Sequence, residues 1–83
     1  MVRAIMHGCN GKMGRAITGL VKEDTEVEIV AGVDAYTEVP NDYPVFKNIG
    51  DCNLEADVII DFSNARAVDG LLEYSVKNQI PVV

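Results

Sequence analysis

Hydrophobic and polar positions along the chain fall into short blocks whose spacing predicts the secondary structure. Three mostly apolar runs have the pattern of buried strands, because their apolar residues are continuous and often β-branched. These runs are Val2–Met6, Glu26–Asp34 and Asp57–Asp61. Two other runs place apolar residues three and four positions apart, so they predict amphipathic helices over Lys12–Val21 and Ala65–Asn78.

Each predicted helix has a defined apolar face, which we expect to pack on a sheet. The apolar residues are Met13, Ala16, Ile17, Leu20 and Val21 in the first helix and Ala67, Val68, Leu71, Leu72 and Val76 in the second. Ser63 or Asn64 is placed to cap the second helix. The segment Ala35–Asn53 is rich in Pro, Asn, Asp and Gly, so we expect a loop with one short strand at Val45–Phe46.

The order of these elements predicts an α/β fold. Buried strands that are joined by helical crossovers form a parallel sheet covered on both faces. We therefore expect a Rossmann-type three-layer fold with a mostly parallel sheet. The apolar run Ile80–Val83 has the pattern of a strand that the chain leaves unfinished. We thus expect the sheet to be incomplete at its C-terminal end, and residues 1–83 to be one dinucleotide-binding domain, truncated from a longer protein.

Composition narrows the classes of partner. The net charge is −6 with only 7 Lys and Arg residues, which is unfavourable for binding nucleic acid. No apolar run approaches the roughly 18 residues that a membrane span needs. Cys9 and Cys52 have no metal-binding or redox spacing and no export signal precedes them, so we expect free thiols in the cytoplasm.

The junction between the first strand and the first helix contains Gly8, Gly11 and Gly14. A strand, a glycine-rich turn and a helix form the entrance to a dinucleotide-binding unit. There the first glycine permits the turn, the second lets backbone N–H groups approach a pyrophosphate, and the third lets the helix pack closely. Asn10 stands where the tighter GxGxxG pattern has glycine, and asparagine tolerates a positive φ. The alternative is a capped, tightly packed helix that binds no ligand.

Asp34 ends the second predicted strand, 20 positions after Gly14. A carboxylate at this spacing accepts hydrogen bonds from the adenosine ribose of a dinucleotide. The next four residues, Ala35–Glu38, contain no lysine or arginine. Lys47, farther along the chain, is the only distant cation that can fold back toward this site. We therefore predict a preference for NADH over NADPH, since a 2′-phosphate requires a nearby cation.

Two stretches, HGCNGKMGRAI (residues 7–17) and DVIIDFSNARAV (residues 57–68), resemble the amino-terminal half of bacterial 4-hydroxy-tetrahydrodipicolinate reductases, also called dihydrodipicolinate reductases. The resemblance implies a cytoplasmic, two-domain, usually tetrameric enzyme of lysine and diaminopimelate biosynthesis. Such an enzyme transfers hydride from NADH or NADPH to a cyclic dicarboxylate. The carboxylate after the second strand is often Glu in this family, and a basic residue often follows it where NADPH is used. Asp34 and Ala35 depart from both features.

The resemblance also implies roles for particular residues. The pyrophosphate would be held by Gly8, Cys9, Asn10, Gly11, Lys12 and Met13. The adenosine ribose would be bound by Asp34, and the cofactor groove would be lined by Asp61, Phe62 and Ser63. Phe62 has the alternative of filling the core, Ser63 that of capping the second helix, and Met13 that of packing alone.

The family's catalytic histidines and substrate-binding lysine follow a loop that lies beyond Val83. The only histidine, His7, precedes the glycine turn, and we expect it to be buried and structural. We therefore predict that this chain alone is inactive and monomeric, whereas the full-length enzyme is a homotetramer. Two alternatives remain at this point: a stand-alone nucleotide- or CoA-binding module, and a methyltransferase that binds S-adenosylmethionine.

Overall fold

The computed structural model describes residues 2–37, 41–62 and 68–83, except for the side chains of residues 68 and 69. Its strands are β1 (Val2–His7), β2 (Val27–Val33), β3 (Val45–Phe46) and β4 (Val58–Asp61). Its helices are α1 (Lys12–Lys22), α2 (Val68–Asn78) and a short 3₁₀ helix (Ile49–Asp51). The strands lie where the sequence predicts them, within one residue at each end, whereas the 3₁₀ helix falls in the predicted loop.

The described strands form one sheet in the order β3-β2-β1-β4, and every pair is parallel. Val82 makes a further parallel bridge to Ile59 of β4, so the predicted last strand continues the sheet on that side. β1 and β2 are joined through α1, and β4 is joined to Val82 through α2, so both of these connections are helical crossovers. The predicted Rossmann-type α/β fold is confirmed.

The two faces of the sheet are covered differently. On one face lies the main hydrophobic cluster, which α2 and the 3₁₀ helix close; it comprises Ile5, Ala31, Val33, Ile49, Cys52, Ile59, Leu71 and Ile80. Side chains alternate between faces along a strand, so the buried Ala4 and Met6 belong to the opposite face, beneath α1. The result is a three-layer arrangement with the sheet in the middle.

The helices contact the sheet through faces that are rotated from the predicted ones. In α1 the residues withdrawn from solvent are Gly14, Ile17, Thr18 and Val21, and among the described side chains of α2 they are Leu71, Tyr74 and Ser75. Met13 is 56% exposed and Val76 is 79% exposed, so the prediction that these two side chains pack on the sheet is wrong. The physical reason is that Gly14 and Thr18 lie against the turn and Tyr43, so small and polar residues occupy the inner face of α1.

The Tyr43 ring packs closely against Gly32, on the face of the sheet that α1 covers. A Cβ on Gly32 would lie 2.6 Å from both the Cys9 sulfur and the Tyr43 ring. The hydroxyls of Tyr43 and Thr18 are hydrogen-bonded at 3.0 Å, which fixes the loop before β3 onto α1. In the described part of the chain, no helix is long and apolar enough to cross a membrane.

Candidate functional site

A groove of about 1190 Å³ opens at the carboxyl ends of β1, β2 and β4. Ligands of open α/β sheets bind at this edge, outside the strand ends. Of the residues singled out by the sequence, the groove is lined by His7, Gly8, Gly11, Asp34 and Phe62. The fold therefore brings the glycine turn, the acidic residue after β2 and the end of β4 to one place.

Gly8 makes the turn out of β1 in the left-handed region, with φ of 86°. An L-residue adopts this conformation only at a steric cost, so the predicted role of the first glycine is confirmed. The Gly8 amide donates to the Val33 carbonyl at 2.7 Å, and the Gly11 amide donates to the Gly8 carbonyl at 3.2 Å. These bonds close the turn against β2.

Gly14 allows α1 to approach the turn closely. A Cβ at this position would lie 2.2 Å from the Gly8 carbonyl oxygen and 2.9 Å from the Cys9 backbone. Both are backbone atoms that cannot move aside. The close packing predicted for the third glycine is confirmed, and the partner is the turn itself.

Gly11 is the N-cap of α1, with φ −74° and ψ 170° and no side chain to cap the helix. A Cβ here would meet only the Gly8 carbonyl oxygen, at 3.5 Å, an ordinary contact. Packing within the protein thus does not demand glycine at this position. Because the first amides of a helix lack carbonyl partners within it, the bare N-terminus of α1 at the groove is suited to an anion.

The Asp34 carboxylate connects the turn with the segment after β2. Its Oδ2 accepts the Asn10 amide at 3.0 Å, and its Oδ1 accepts the Tyr36 amide at 2.9 Å. An ionised carboxylate has about four acceptor sites, so each oxygen retains capacity for another donor. The carboxylate is therefore held in a fixed orientation at the mouth of the groove.

Asn10 contributes through its side chain. Within the described part of the chain, Gln79 is the only non-glycine residue with positive φ, so the turn does not use the tolerance of Asn10 for that conformation. Instead, Asn10 Nδ2 donates to the Tyr36 carbonyl at 2.5 Å, and its Oδ1 accepts from Asn41 Nδ2 at 2.8 Å. The residue clamps the loop after β2 to the glycine turn.

Other predicted site residues lie away from the groove surface or outside the described residues. The Cys9 side chain is fully buried against Gly32, and burial together with the Asp34 charge raises the pKa of its thiol to about 11. Lys12 and Met13 are exposed on the first turn of α1. The predictions for Ser63, as a cap or a ribose ligand, fall outside the described residues.

At the end of β4, Asp61 and Phe62 lie beside His7. His7 is 4% exposed, which confirms its predicted burial, and its Nδ1 is 3.1 Å from Asp61 Oδ1. The Phe62 amide donates to the His7 carbonyl at 2.9 Å, and Phe62 lines the groove with 41% of its surface exposed, so it does not fill the core. The His7–Asp61 pair was not predicted from the sequence, because it depends on β1 and β4 ending side by side.

Lys47 lines the same groove as Asp34 and Ala35. It comes directly after β3, the strand that pairs with the end of β2. The pairing of β3 with β2 thus brings Lys47, the distant cation that the sequence singled out as able to fold in, to the groove. Among the described residues, no group of three or more His, Cys, Asp or Glu side chains is arranged to hold a metal ion.

A family model described as "Dihydrodipicolinate reductase, N-terminus" matches residues 2–83. The chain belongs to the dihydrodipicolinate reductase family. This assignment excludes the methyltransferase interpretation. The reductases of this family bind NAD(P)H, and the groove of this family member lies where an α/β sheet binds such a ligand.

Curated relatives agree with the family assignment. The chain is 49% identical to the 4-hydroxy-tetrahydrodipicolinate reductase of Caldanaerobacter subterraneus subsp. tengcongensis, over the whole chain and 33% of that protein. It is 45% identical to the Clostridium novyi reductase, again over the whole chain and 33% of the relative. The chain thus spans about a third of the length of the curated dihydrodipicolinate reductases that it matches.

Among solved structures, dipicolinate-bound dihydrodipicolinate reductase from Paenisporosarcina sp. TG-14 has the same fold. The TM-score is 0.82 at 23% sequence identity, and the match covers 99% of this chain and 37% of that one. Because the sequence identity is only 23%, this similarity shows that the two chains share a fold and nothing more.

Proposed function

We propose that this chain is the dinucleotide-binding part of a 4-hydroxy-tetrahydrodipicolinate reductase, and that it binds NADH or NADPH in the groove. In the complete enzyme the cofactor transfers hydride to a cyclic dicarboxylate substrate. The observation that carries the proposal is the Asp34 carboxylate, which is bonded to the glycine turn and lines one groove with Gly8 and Gly11.

The turn and the N-terminus of α1 bind the pyrophosphate. The backbone from Gly8 to Met13 passes the groove, where free helix amides and the positive end of the helix dipole favour an anion. Lys12 is exposed on the first turn and adds a cation nearby. Cys9 contributes only backbone, because its side chain is buried on the other face.

Asp34 binds the hydroxyls of the adenosine ribose. Its two backbone hydrogen bonds fix the carboxylate before ligand arrives, which reduces the entropic cost of binding. The Asp34 charge repels a 2′-phosphate, so we propose a preference for NADH. Lys47 lines the same groove. Among the described lining residues between β2 and the 3₁₀ helix, it is the only one with a positive charge that can offset this repulsion. Part of the repulsion is thereby offset, and NADPH binds more weakly rather than not at all.

Replacing Asp34 by alanine tests this assignment. A hydrogen bond to a charged group contributes about 1.5–3 kcal/mol, so Asp34→Ala is expected to weaken NADH binding by roughly 10- to 100-fold. NADPH is expected to lose less, because repulsion of the 2′-phosphate disappears with the carboxylate. Isothermal titration calorimetry with NADH and NADPH measures both affinities.

Asp24→Ala is the matched control for that experiment. Asp24 Oδ1 accepts the amide of Glu26, two residues on, as Asp34 Oδ1 accepts that of Tyr36, but Asp24 precedes β2 at the opposite end of the sheet. Unchanged NADH affinity in Asp24→Ala is therefore expected. Equal affinity of wild type and Asp34→Ala for NADH would contradict the assigned site.

We further propose that the complete enzyme is a cytoplasmic homotetramer, and that this chain is monomeric and inactive alone. The expected result is NADH binding without reductase turnover by residues 1–83, with the monomer mass in light scattering. A chain that binds NADH and also reduces the substrate would contradict the second part only. A chain that binds CoA and not NADH would favour the stand-alone module.

A further inference from the structure

Tyr43 is a half-buried side chain that lies beside the glycine turn, on the face of the sheet that α1 covers. Its hydroxyl is hydrogen-bonded to the Thr18 hydroxyl, in the middle of α1, at 3.0 Å. Its ring and the Cys9 sulfur share the space that a Cβ on Gly32 would occupy, each 2.6 Å from that point. Tyr43 therefore contacts α1 and β2, and it is also hydrogen-bonded to the Cys9 thiol of the turn.

The chain on both sides of Tyr43 is anchored to the same unit. Two residues before it, Asn41 Nδ2 donates to Asn10 Oδ1 at 2.8 Å. One residue after it, the Pro44 carbonyl accepts the Gly32 amide at 2.9 Å. This segment thus runs from the glycine turn to β2 with Tyr43 in its middle, so the position of the Tyr43 ring is fixed through the main chain as well as through its hydroxyl.

The glycine turn and Asp34 form the two parts of the proposed dinucleotide site, and both line the groove. Two of the bonds that join them are short-range contacts of the turn with the end of β2. The Asn10 amide donates to the Asp34 carboxylate at 3.0 Å, and the Cys9 amide donates to the Val33 carbonyl at 3.3 Å. Tyr43 is not among the described residues that line the groove, so it acts on a ligand through the turn and β2.

We propose that Tyr43 is a positioning residue for the dinucleotide, because it sets the separation between the glycine turn and Asp34. Its bond to Thr18 fixes the ring, and the ring supports Cys9 of the turn. The inference rests on the proposed function and adds a residue from outside the groove. A dinucleotide places its pyrophosphate on the turn and its adenosine ribose on Asp34 at the same time. A separation that is fixed before binding lowers the cost of engaging both groups together.

Removing either hydroxyl tests this link. Tyr43→Phe and Thr18→Val each delete one hydroxyl and keep the shape of the side chain. Each is expected to weaken NADH binding by about three- to tenfold in isothermal titration calorimetry, the usual effect of one lost hydrogen bond. Both hydroxyls belong to one bond, so the double variant is expected to bind NADH no more weakly than Tyr43→Phe alone. Thr18→Ser keeps the hydroxyl and is expected to bind NADH within about twofold of wild type.

Adenosine separates positioning from a general loosening of the site. It reaches Asp34 with its ribose and has no phosphate for the glycine turn, so the separation of these two parts does not affect its binding. Tyr43→Phe is therefore expected to weaken NADH binding and to leave adenosine affinity unchanged, as measured by NMR titration of the Tyr36 amide, which is bonded to Asp34. Equal weakening of adenosine and NADH would overturn the proposal.

Ser75→Ala is the control for loss of stability. The Ser75 hydroxyl donates to the Ile80 carbonyl at 2.5 Å, and Ser75 is not among the residues described as lining the groove. Urea unfolding is expected to show that Ser75→Ala destabilises the chain about as much as Tyr43→Phe does, with NADH affinity unchanged. A loss of NADH affinity in Ser75→Ala that matches the loss in Tyr43→Phe would overturn the proposal.

The two Thr18 variants keep the test independent of whether Tyr43→Phe folds. Equal NADH affinity of Thr18→Val and Thr18→Ser would overturn the proposal, because only the second keeps the hydroxyl that bonds Tyr43. In that outcome wild type still binds NADH, so the proposed function stands. Wild type that binds no NADH would overturn the proposed function, and this inference with it.

Discussion

The two glycines within α1, Gly14 and Gly19, have opposite surroundings. A Cβ on Gly14 would lie 2.2 Å from the Gly8 carbonyl oxygen, whereas a Cβ on Gly19 would meet nothing within 4 Å. Both residues are helical, so the intrinsic preference of the helix for alanine is the same at each. The pair separates the packing requirement from helix propensity.

Gly14→Ala is therefore expected to destabilise the chain by about 2–4 kcal/mol, in the range of severe overpacking. Gly19→Ala is expected to stabilise it by up to about 1 kcal/mol, because alanine is the better helix former. Urea unfolding followed by circular dichroism measures both. A Gly14→Ala protein as stable as Gly19→Ala would show that the helix and turn are not in contact.

Cys9 connects the residue scale with pH. Burial, reinforced by the Asp34 charge, raises the pKa of its thiol from 9.0 to about 11. The folded state thus holds this proton to higher pH than the unfolded state, so the stabilisation is complete below about pH 9 and is lost between pH 9 and 11. Burial also raises the pKa of Tyr43 beside it, which acts in the same direction.

The free energy of unfolding is expected to fall between pH 9 and 11, with Cys9 contributing at most about 1.4 kcal/mol per pH unit. In Cys9→Ala, the free energy of unfolding is expected to fall less steeply with pH, because the contribution of the Cys9 thiol is gone. Urea unfolding at pH 8, 9 and 10 tests it. An identical slope in wild type and Cys9→Ala would place the thiol in contact with water.

At the scale of elements, the loop after β2 depends on the Asn10 clamp. The Asn10 side chain donates to the Tyr36 carbonyl and accepts from the Asn41 side chain. The Asn10 backbone amide donates to the Asp34 carboxylate. Asn10→Ala keeps the amide bond and removes both side-chain bonds. The variant separates the clamp from the orientation of the carboxylate.

Asn10→Ala is expected to cost about 1–2 kcal/mol of stability and to speed amide exchange at Tyr36. Asn78→Ala is the control, since Asn78 Nδ2 bonds the Tyr74 carbonyl within the end of α2. It is expected to leave exchange at Tyr36 unchanged. Equal exchange at Tyr36 in wild type and Asn10→Ala would refute the clamp.

The sequence predicts the elements well and the orientation of the helices poorly. Short, mostly apolar runs identify β1, β2 and β4, because a buried parallel strand leaves few polar positions. The inner faces of the helices contain Gly14, Thr18 and Ser75, which apolar spacing does not detect. Ser75 lies on this face with its hydroxyl donating to the Ile80 carbonyl at 2.5 Å, just beyond the end of α2.

At the scale of the molecule, 83 residues give a small core, so ligand binding is a large part of total stability. NADH at about 100 times its dissociation constant contributes about 2.7 kcal/mol. For a domain of this size that is expected to raise Tm by roughly 10–20 °C. Scanning calorimetry with and without NADH measures the shift, and Asp34→Ala at the same NADH concentration is expected to show a much smaller one.

The site is predictable from the sequence only as far as single segments allow. The glycine turn and Asp34 have a fixed spacing that a βαβ unit explains. The Asn10–Asn41 bond and the His7–Asp61 pair join segments that only the tertiary fold brings together. Such contacts depend on tertiary structure, so no local pattern in the sequence specifies them.

The all-parallel sheet has a consequence for how the chain folds. Parallel neighbours cannot be joined by a tight hairpin, so each pair requires closure of a long crossover before its hydrogen bonds form. The pairing of β1 with β4 joins His7 to a residue 54 positions away. Contacts of such high sequence separation slow folding, so we expect this chain to fold more slowly than a helical bundle of equal length. β1 pairs with a strand on each side. We therefore expect a substitution of its central residue, Ile5, to slow folding.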